Sequence, residues 1–179
     1  ESARVQGQVA AAIASTGAVA GQSVSGLKAH ADALQDLTNF DDEATLTGQA
    51  MLLTFTKIGK DIFPEATEAT LDLATAMGTD TKSAALQLGK ALNDPVTGLL
   101  ALRRSGVQFT EDQQKAIKAL VETGQLAKAQ AIILAEVKKE FGGSAAAARE
   151  ADGGFTALSN SFGELREQLG GVIADLNKA

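Results

Sequence analysis

The sequence predicts an all-α fold: a multi-helix module with an Ala/Gly-rich N-terminal helical arm and a C-terminal heptad-patterned helix. Three observations lead there. From Leu27 onward the apolar residues recur at helical spacing, with no convincing alternating strand pattern. Capping and stopping residues punctuate that pattern every ~12 to 18 residues, as in a folded multi-helix domain. The last segment carries a sustained 3-4 apolar repeat. A chain of 179 residues suffices for one sizeable domain, or for a domain with an extended arm.

Residues 1–26 are rich in Ala, Gly and Ser, with Val5, Val9, Ile13 and Val19 as the larger apolar groups. They read as a helical arm or linker. Gly17 and Gly21 form a GxxxG spacing that, on a helix, admits a close neighbour. Residues 27–143 read as the multi-helix domain. Leu27, His30, Leu34 and Leu37 repeat at three and four. Asp41-Asp42-Glu43 suits the positive N-terminal end of a helix bearing Ala44, Thr47, Met51, Phe55 and Ile58. Pro64 fits the first position of a helix with Ala66, Ala69, Leu73 and Met77, stopped by Gly78. Asp80 then caps a helix carrying Ala85, Leu88 and Leu92.

Asp94 before Pro95 supplies a cap and a proline in the first turn of a short helix. That helix ends with Arg103 and Arg104 beside Gly106, cations that oppose the negative end of the helix dipole. Thr110 with Gln113 matches a capping box and opens a helix with Ile117, Leu120 and Val121 that stops at Gly124. A second helix carries Leu126, Ile133 and Val137 and ends at Phe141, before Gly142 and Gly143. Residues 110–143 are therefore expected as an αα-hairpin. Residues 144–179 read as an Ala-rich connector and an amphipathic helix. Phe155, Leu158, Phe162, Leu165, Leu169, Val172 and Leu176 make the seam of three heptads. The seam needs a partner, either this chain's own helices or another copy. Gly163, Gly170 and Gly171 weigh against a long isolated coiled coil. The residues expected to carry structure or interaction are Asp94, Pro95, Gly106, Thr110, Gly124 and those seven.

Residue chemistry offers no evident active site. The chain has 16 Lys and Arg against 22 Asp and Glu, and residues 1–89 hold all of the net charge of −6. This balance argues against a dedicated nucleic-acid surface. With no Cys, disulfides and thiolate metal sites are excluded. No run approaches the ~20 apolar residues of a spanning helix, and no signal-peptide pattern opens the chain, which reads as soluble. Starting at Glu1 and stopping inside a periodic pattern at Ala179, it is expected to be a fragment of a longer polypeptide. His30 lies on the face of Leu27 and Leu34 and reads as a core-edge side chain. Gly89-Lys90 fails as a phosphate loop, since Ala84 and Ala91 stand where glycine and a hydroxyl are required. Gly59-Lys60 fails likewise, with Thr54 and Asp61. The pairs Glu164/Glu167 and Glu136/Glu140 read as solvated neighbours, and Lys138 and Lys139 as last-turn dipole partners. No catalytic, cofactor-binding or metal-binding residue emerges, and no enzyme is expected. "TGQLAKAQAIILAEV" has a tetratricopeptide-like spacing at Ala129 and Ile133, but Glu136 occupies a position that wants a small residue. An αα-repeat-like interaction module is thus the alternative reading.

The stretch "ALQLGKALNDPVTGLLALRRSGVQFTEDQQKAIKALVETGQLAKAQAIILAEVKKEFGGSAAAA", Ala85 to Ala148, closely resembles a region of tail tape measure proteins of long-tailed bacteriophages and prophages. The matching elements are Asn93-Asp94-Pro95, Gly98, the run Leu102 to Val107, Phe109-Thr110, Ala129-Gln130 and Phe141-Gly142-Gly143. The upstream "LLTFTKIGKDIFPEATEATLDLATAMGTD" fits as well. The resemblance spans about residues 30 to 178, and the arm before Leu27 adds little to it. It implies a structural virion protein that fills the tail tube lumen, sets tail length during assembly and takes part in DNA delivery. The implied partners are further copies of itself, commonly three, together with the tail tube protein, tail tip proteins and tail assembly chaperones. Assembly in the bacterial host cytoplasm is implied, with no cofactor, no small-molecule substrate and no specific nucleic acid. Membrane contact is implied only for the full-length protein after ejection.

Overall fold

Eight helices follow one another in the computed structural model, which describes residues 2–152. They are α1 Ser2–Ser15, α2 Val24–Gln35, α3 Asp42–Leu53, α4 Phe63–Met77, α5 Thr81–Asn93, α6 Leu99–Arg104, α7 Glu111–Glu122 and α8 Leu126–Phe141. Residues 144–152 are helical again after the Gly142-Gly143 break. No strand occurs among the described residues, so the fold is all-α, as the sequence predicts. The heptad residues Phe155 to Leu176 lie outside the described residues.

Side chains close in sequence set most helix boundaries. The Ser23 hydroxyl accepts from Gly26 N at 3.1 Å, Asp41 from Ala44 N at 2.7 Å and Asp80 from Ser83 N at 2.8 Å. Each satisfies an amide that the first helical turn leaves without a partner. Pro64 lies in the first turn of α4, and Gly78 ends it with φ +61°.

The packing centres on α3, which touches α1, α2, α4 and α5. Thr45, Leu46, Gly48, Gln49, Leu52 and Leu53 are all buried, because neighbours approach this helix from several sides. Across the core, the Thr81 hydroxyl donates to Ala44 O at 2.6 Å and ties the start of α5 to α3. Helix α8 lies on α4 and α5 and pairs with α7. A single buried apolar cluster runs from Val5 and Val9 on α1 to Ile133 and Val137 on α8, so the hairpin shares its core with the bundle.

Three local expectations are corrected. The N-terminal segment does not stand off as an arm, because Val5 and Val9 are buried in the common core and α1 packs on α3. Gly17 and Gly21 do not form a helix-packing stripe. Their φ values of +65° and +60° end α1 and turn the chain toward α2. Helix α3 stops at Leu53, short of Ile58, and Phe55 leaves the helix to cover Gly89 of α5. A Cβ at position 89 would lie 2.1 Å from the Phe55 ring. Gly89 is therefore explained by a close approach. Ile58 is buried in the loop that follows α3, and Leu37, beyond the end of α2, is 62% exposed.

Gln49 is fully buried, and neither end of its amide meets a hydrogen-bond partner among the described residues. An unpaired buried amide costs on the order of 1–3 kcal/mol. The near-isosteric Gln49→Met is expected to raise stability by about 1–2 kcal/mol in urea unfolding. A loss of stability would mean that the amide is satisfied after all.

Candidate functional site

The segment from the end of α5 to the start of α7 forms a sharp corner, and its residues act on segments distant in sequence. Asn93, the last residue of α5, accepts from Lys57 N at 3.2 Å and so holds the loop after α3. Asp94 accepts from Val96 N at 3.3 Å, Thr97 N at 3.2 Å and the Thr97 hydroxyl at 2.6 Å. The Thr97 hydroxyl, followed by the Thr97 amide, holds the Asp94 carboxyl below its ordinary range. Pro95 is buried in the turn that precedes α6. The helix itself begins at Leu99, later than a proline in its first turn implies.

Gly98 makes this turn possible. Its amide donates to Asp94 O at 2.7 Å. A Cβ there would lie 2.2 Å from Lys90 O and 2.6 Å from Asp94 O, both backbone atoms that cannot swing aside. Helix α6 then presents Leu99 and Leu102 to the core, while the Ser105 hydroxyl donates to Gln87 of α5. Gly106, at φ +99°, redirects the chain so that Val107 and Phe109 are buried.

Thr110 closes the corner with a full capping box. Its hydroxyl accepts from Gln113 N at 3.1 Å, and Gln113 Oε1 accepts from Thr110 N at 2.8 Å. The other end of Gln113 donates to Glu136 of α8 at 2.7 Å, and Lys139 donates to the same carboxylate at 2.8 Å. Glu140 accepts from Gln108 N at 3.0 Å. Glu136 is only 5% exposed, which corrects the expectation of a solvated pair with Glu140. Lys139, then Gln113, keeps its carboxyl below the ordinary value of 4.5. Gly124, at φ +74°, turns the chain at the other end of α7.

Gln130 on α8 completes the arrangement. It is 1% exposed and donates to Lys57 O at 2.8 Å and Leu92 O at 2.9 Å. Asp94, Pro95, Gly106 and Thr110 each shape a local turn or cap along this corner. Glu136 joins the Thr110 cap through Gln113, and Gln130 joins the end of α5, contacts that sequence spacing does not disclose. The arrangement is a polar clasp and holds no evident catalytic group. Among the described residues no cluster of three or more His, Asp or Glu could hold a metal ion. None of their helices is long and apolar enough to cross a membrane. His30 lies 3.9 Å from Glu68, and neither residue takes part in the clasp.

Residues 1–118 match the family described as prophage tail length tape measure protein. The chain belongs to that family. The match takes in α1, which the resemblance read from sequence had set aside, and the whole corner through the start of α7. The Ala129-Gln130 helix and Phe141-Gly142-Gly143 lie beyond the matched residues. No curated protein and no solved structure matches the chain. For this tape measure segment, the family assigns a structural role in the phage tail and places the protein in the virion.

Two outcomes test the corner. Gly98→Ala forces backbone apart and is expected to cost about 2–3 kcal/mol in urea unfolding, whereas a change near zero would refute the close approach. Glu136 has a lowered pKa in the folded state, so its contribution is present above the unfolded value of 4.5 and is lost as pH falls through the folded value. The stability gap between the wild type and Glu136→Gln is therefore expected to shrink from about pH 7 to about pH 3. A gap independent of pH would contradict the clasp.

Proposed function

We propose that this segment is a folded helical element of the tail ruler. It occupies the tail tube lumen, contributes to tail length during assembly and takes part in DNA delivery at infection. The family match over residues 1–118 carries the reading, since it includes the corner and most of the bundle. The working partners are other copies of the chain, the tail tube protein, the tail tip proteins and the assembly chaperones. In this reading the corner, built on Asp94, Pro95, Gly106 and Thr110, fixes the angle at which the α7–α8 hairpin leaves the bundle. Gly124 closes the hairpin, and residues Phe155 to Leu176 supply a seam for association. The protein acts without catalysis or cofactor, and its acidic balance suits a tube through which DNA passes without being held.

A ruler made of continuous helix gains about 1.5 Å per residue, so residues 2–152 as a rod would span about 225 Å. Folded, they have a radius of gyration of about 15 Å. In-frame deletion of these residues from the full gene is expected to shorten tails by far less than about 225 Å while abolishing infectivity, as read by electron microscopy and plaque counts. Shortening by the full rod length would contradict a folded element. Tails normal in length and infectivity would contradict the function.

A further inference from the structure

Among the described residues, two surfaces are apolar at the centre, charged at the edge and opposite in sign. The first is the outer ridge of the corner. Val96 and Leu100 are 45% and 53% exposed, and Arg103 and Arg104 follow them at helical spacing. Val96, Leu100 and Arg103 border, with Pro95, Leu99 and Lys118, a cleft of about 240 Å³, and Arg104 is exposed beside it. The Arg103 and Arg104 side chains form no ion pair or hydrogen bond with another described residue. Among the described residues Lys118 meets only Glu122, at 3.9 Å on the exposed face of α7. Both arginines lie in the last turn of α6, beside the exposed aliphatic side chains of Val96 and Leu100.

The second surface is a groove of about 260 Å³ between α2, α4, α8 and the start of the helix at 144–152. Leu34, Leu71 and Leu134 line it, and the exposed Leu37 stands beside them. Along α4, Glu65, Glu68 and Asp72 follow one another at i, i+3 and i+7 and give the rim its sign. Asp72 is engaged by Gly143 N at 3.1 Å and Ala145 N at 3.0 Å. Glu68 is 3.9 Å from His30, and Glu65 has no partner among the described residues. Lys138 also borders the groove and leaves its balance acidic.

We propose that the basic ridge of one copy docks in the acidic groove of the next. The occupant follows from charge complementarity. Val96 and Leu100 match an apolar floor, and Arg103 and Arg104 match Glu65 and Glu68. The two surfaces are built from different helices, so the contact is head to tail. Such a contact does not pair a patch with itself, and it grows into a ring or an open strand of modules. It is independent of the tail reading, because it rests only on the two faces.

Charge exchange in the 179-residue chain, followed by sedimentation velocity at low salt, tests it. The wild type is expected to associate beyond a dimer as concentration rises and to dissociate at high salt. Arg103→Glu with Arg104→Glu, and separately Glu65→Lys with Glu68→Lys, are expected to abolish association, since like charges then meet. All four positions are exposed, and circular dichroism checks that helix content is kept. An equimolar mixture of the two variants is expected to restore association, because each reversed face then meets its complement. A monomeric wild type, variants that still associate alone, or a mixture that stays monomeric would each overturn the proposal. Assembly through residues 155–176 alone would give the second of these outcomes.

Discussion

The Gln130 carboxamide uses both of its N–H groups on backbone carbonyls, Lys57 O and Leu92 O, inside a site closed to water. Leu92 lies in the last turn of α5, where carbonyls have no intrahelical partner. With the hairpin packed over that end, the carbonyl must be paired from within. Asn93 takes the Lys57 amide, so the loop after α3 is held through both its N–H and its carbonyl. Once α8 is fixed by this bond pair, Glu136 stands opposite Gln113 and Glu140 opposite Gln108 N. The shape of the corner follows from the clasp.

The surrounding core explains why polar groups carry this work. The chain is 4% aromatic, and Ala31, Ala66, Ala74, Ala84, Ala85 and Ala91 are buried alongside leucines. Small side chains let helices approach closely but leave sliding and rotation weakly opposed, because apolar burial is non-directional. Hydrogen bonds to Gln130, Glu136 and Thr81 supply direction, and each carries a desolvation cost if its partner moves away. Close approaches at Gly89 and Gly98 act in the same sense, admitting Phe55 and the Asp94 turn in one register.

What the sequence disclosed was local. Asp41, Asp80, the Thr110 and Gln113 box, Pro64, Gly78 and Gly124 act on amides or backbone angles within a few residues, so spacing alone reveals them. The clasp was not legible, because Gln130 acts on residues 73 and 38 positions away. Glu136 looked like one of two solvated neighbours, since burial depends on where α7 lies. Gly17 and Gly21 fitted a packing motif whose meaning requires helical φ, and their positive φ gives them another role. Phe55 kept the helical period of α3 while lying outside the helix, since an apolar residue serves the core equally well from a loop. Gly98 was visible as part of a resemblance, and the contact that requires it appears only when the turn folds back on α5.

The central claim is that the clasp makes the hairpin and the bundle one cooperative unit. Native-state hydrogen exchange as a function of denaturant measures this directly, since it separates local from global opening. The account predicts that the core amides of α8 and of α3 exchange through the same global opening, and that Gln130→Leu uncouples α8 from α3. Exchange of α8 in the wild type through a separate opening of much lower free energy would contradict it.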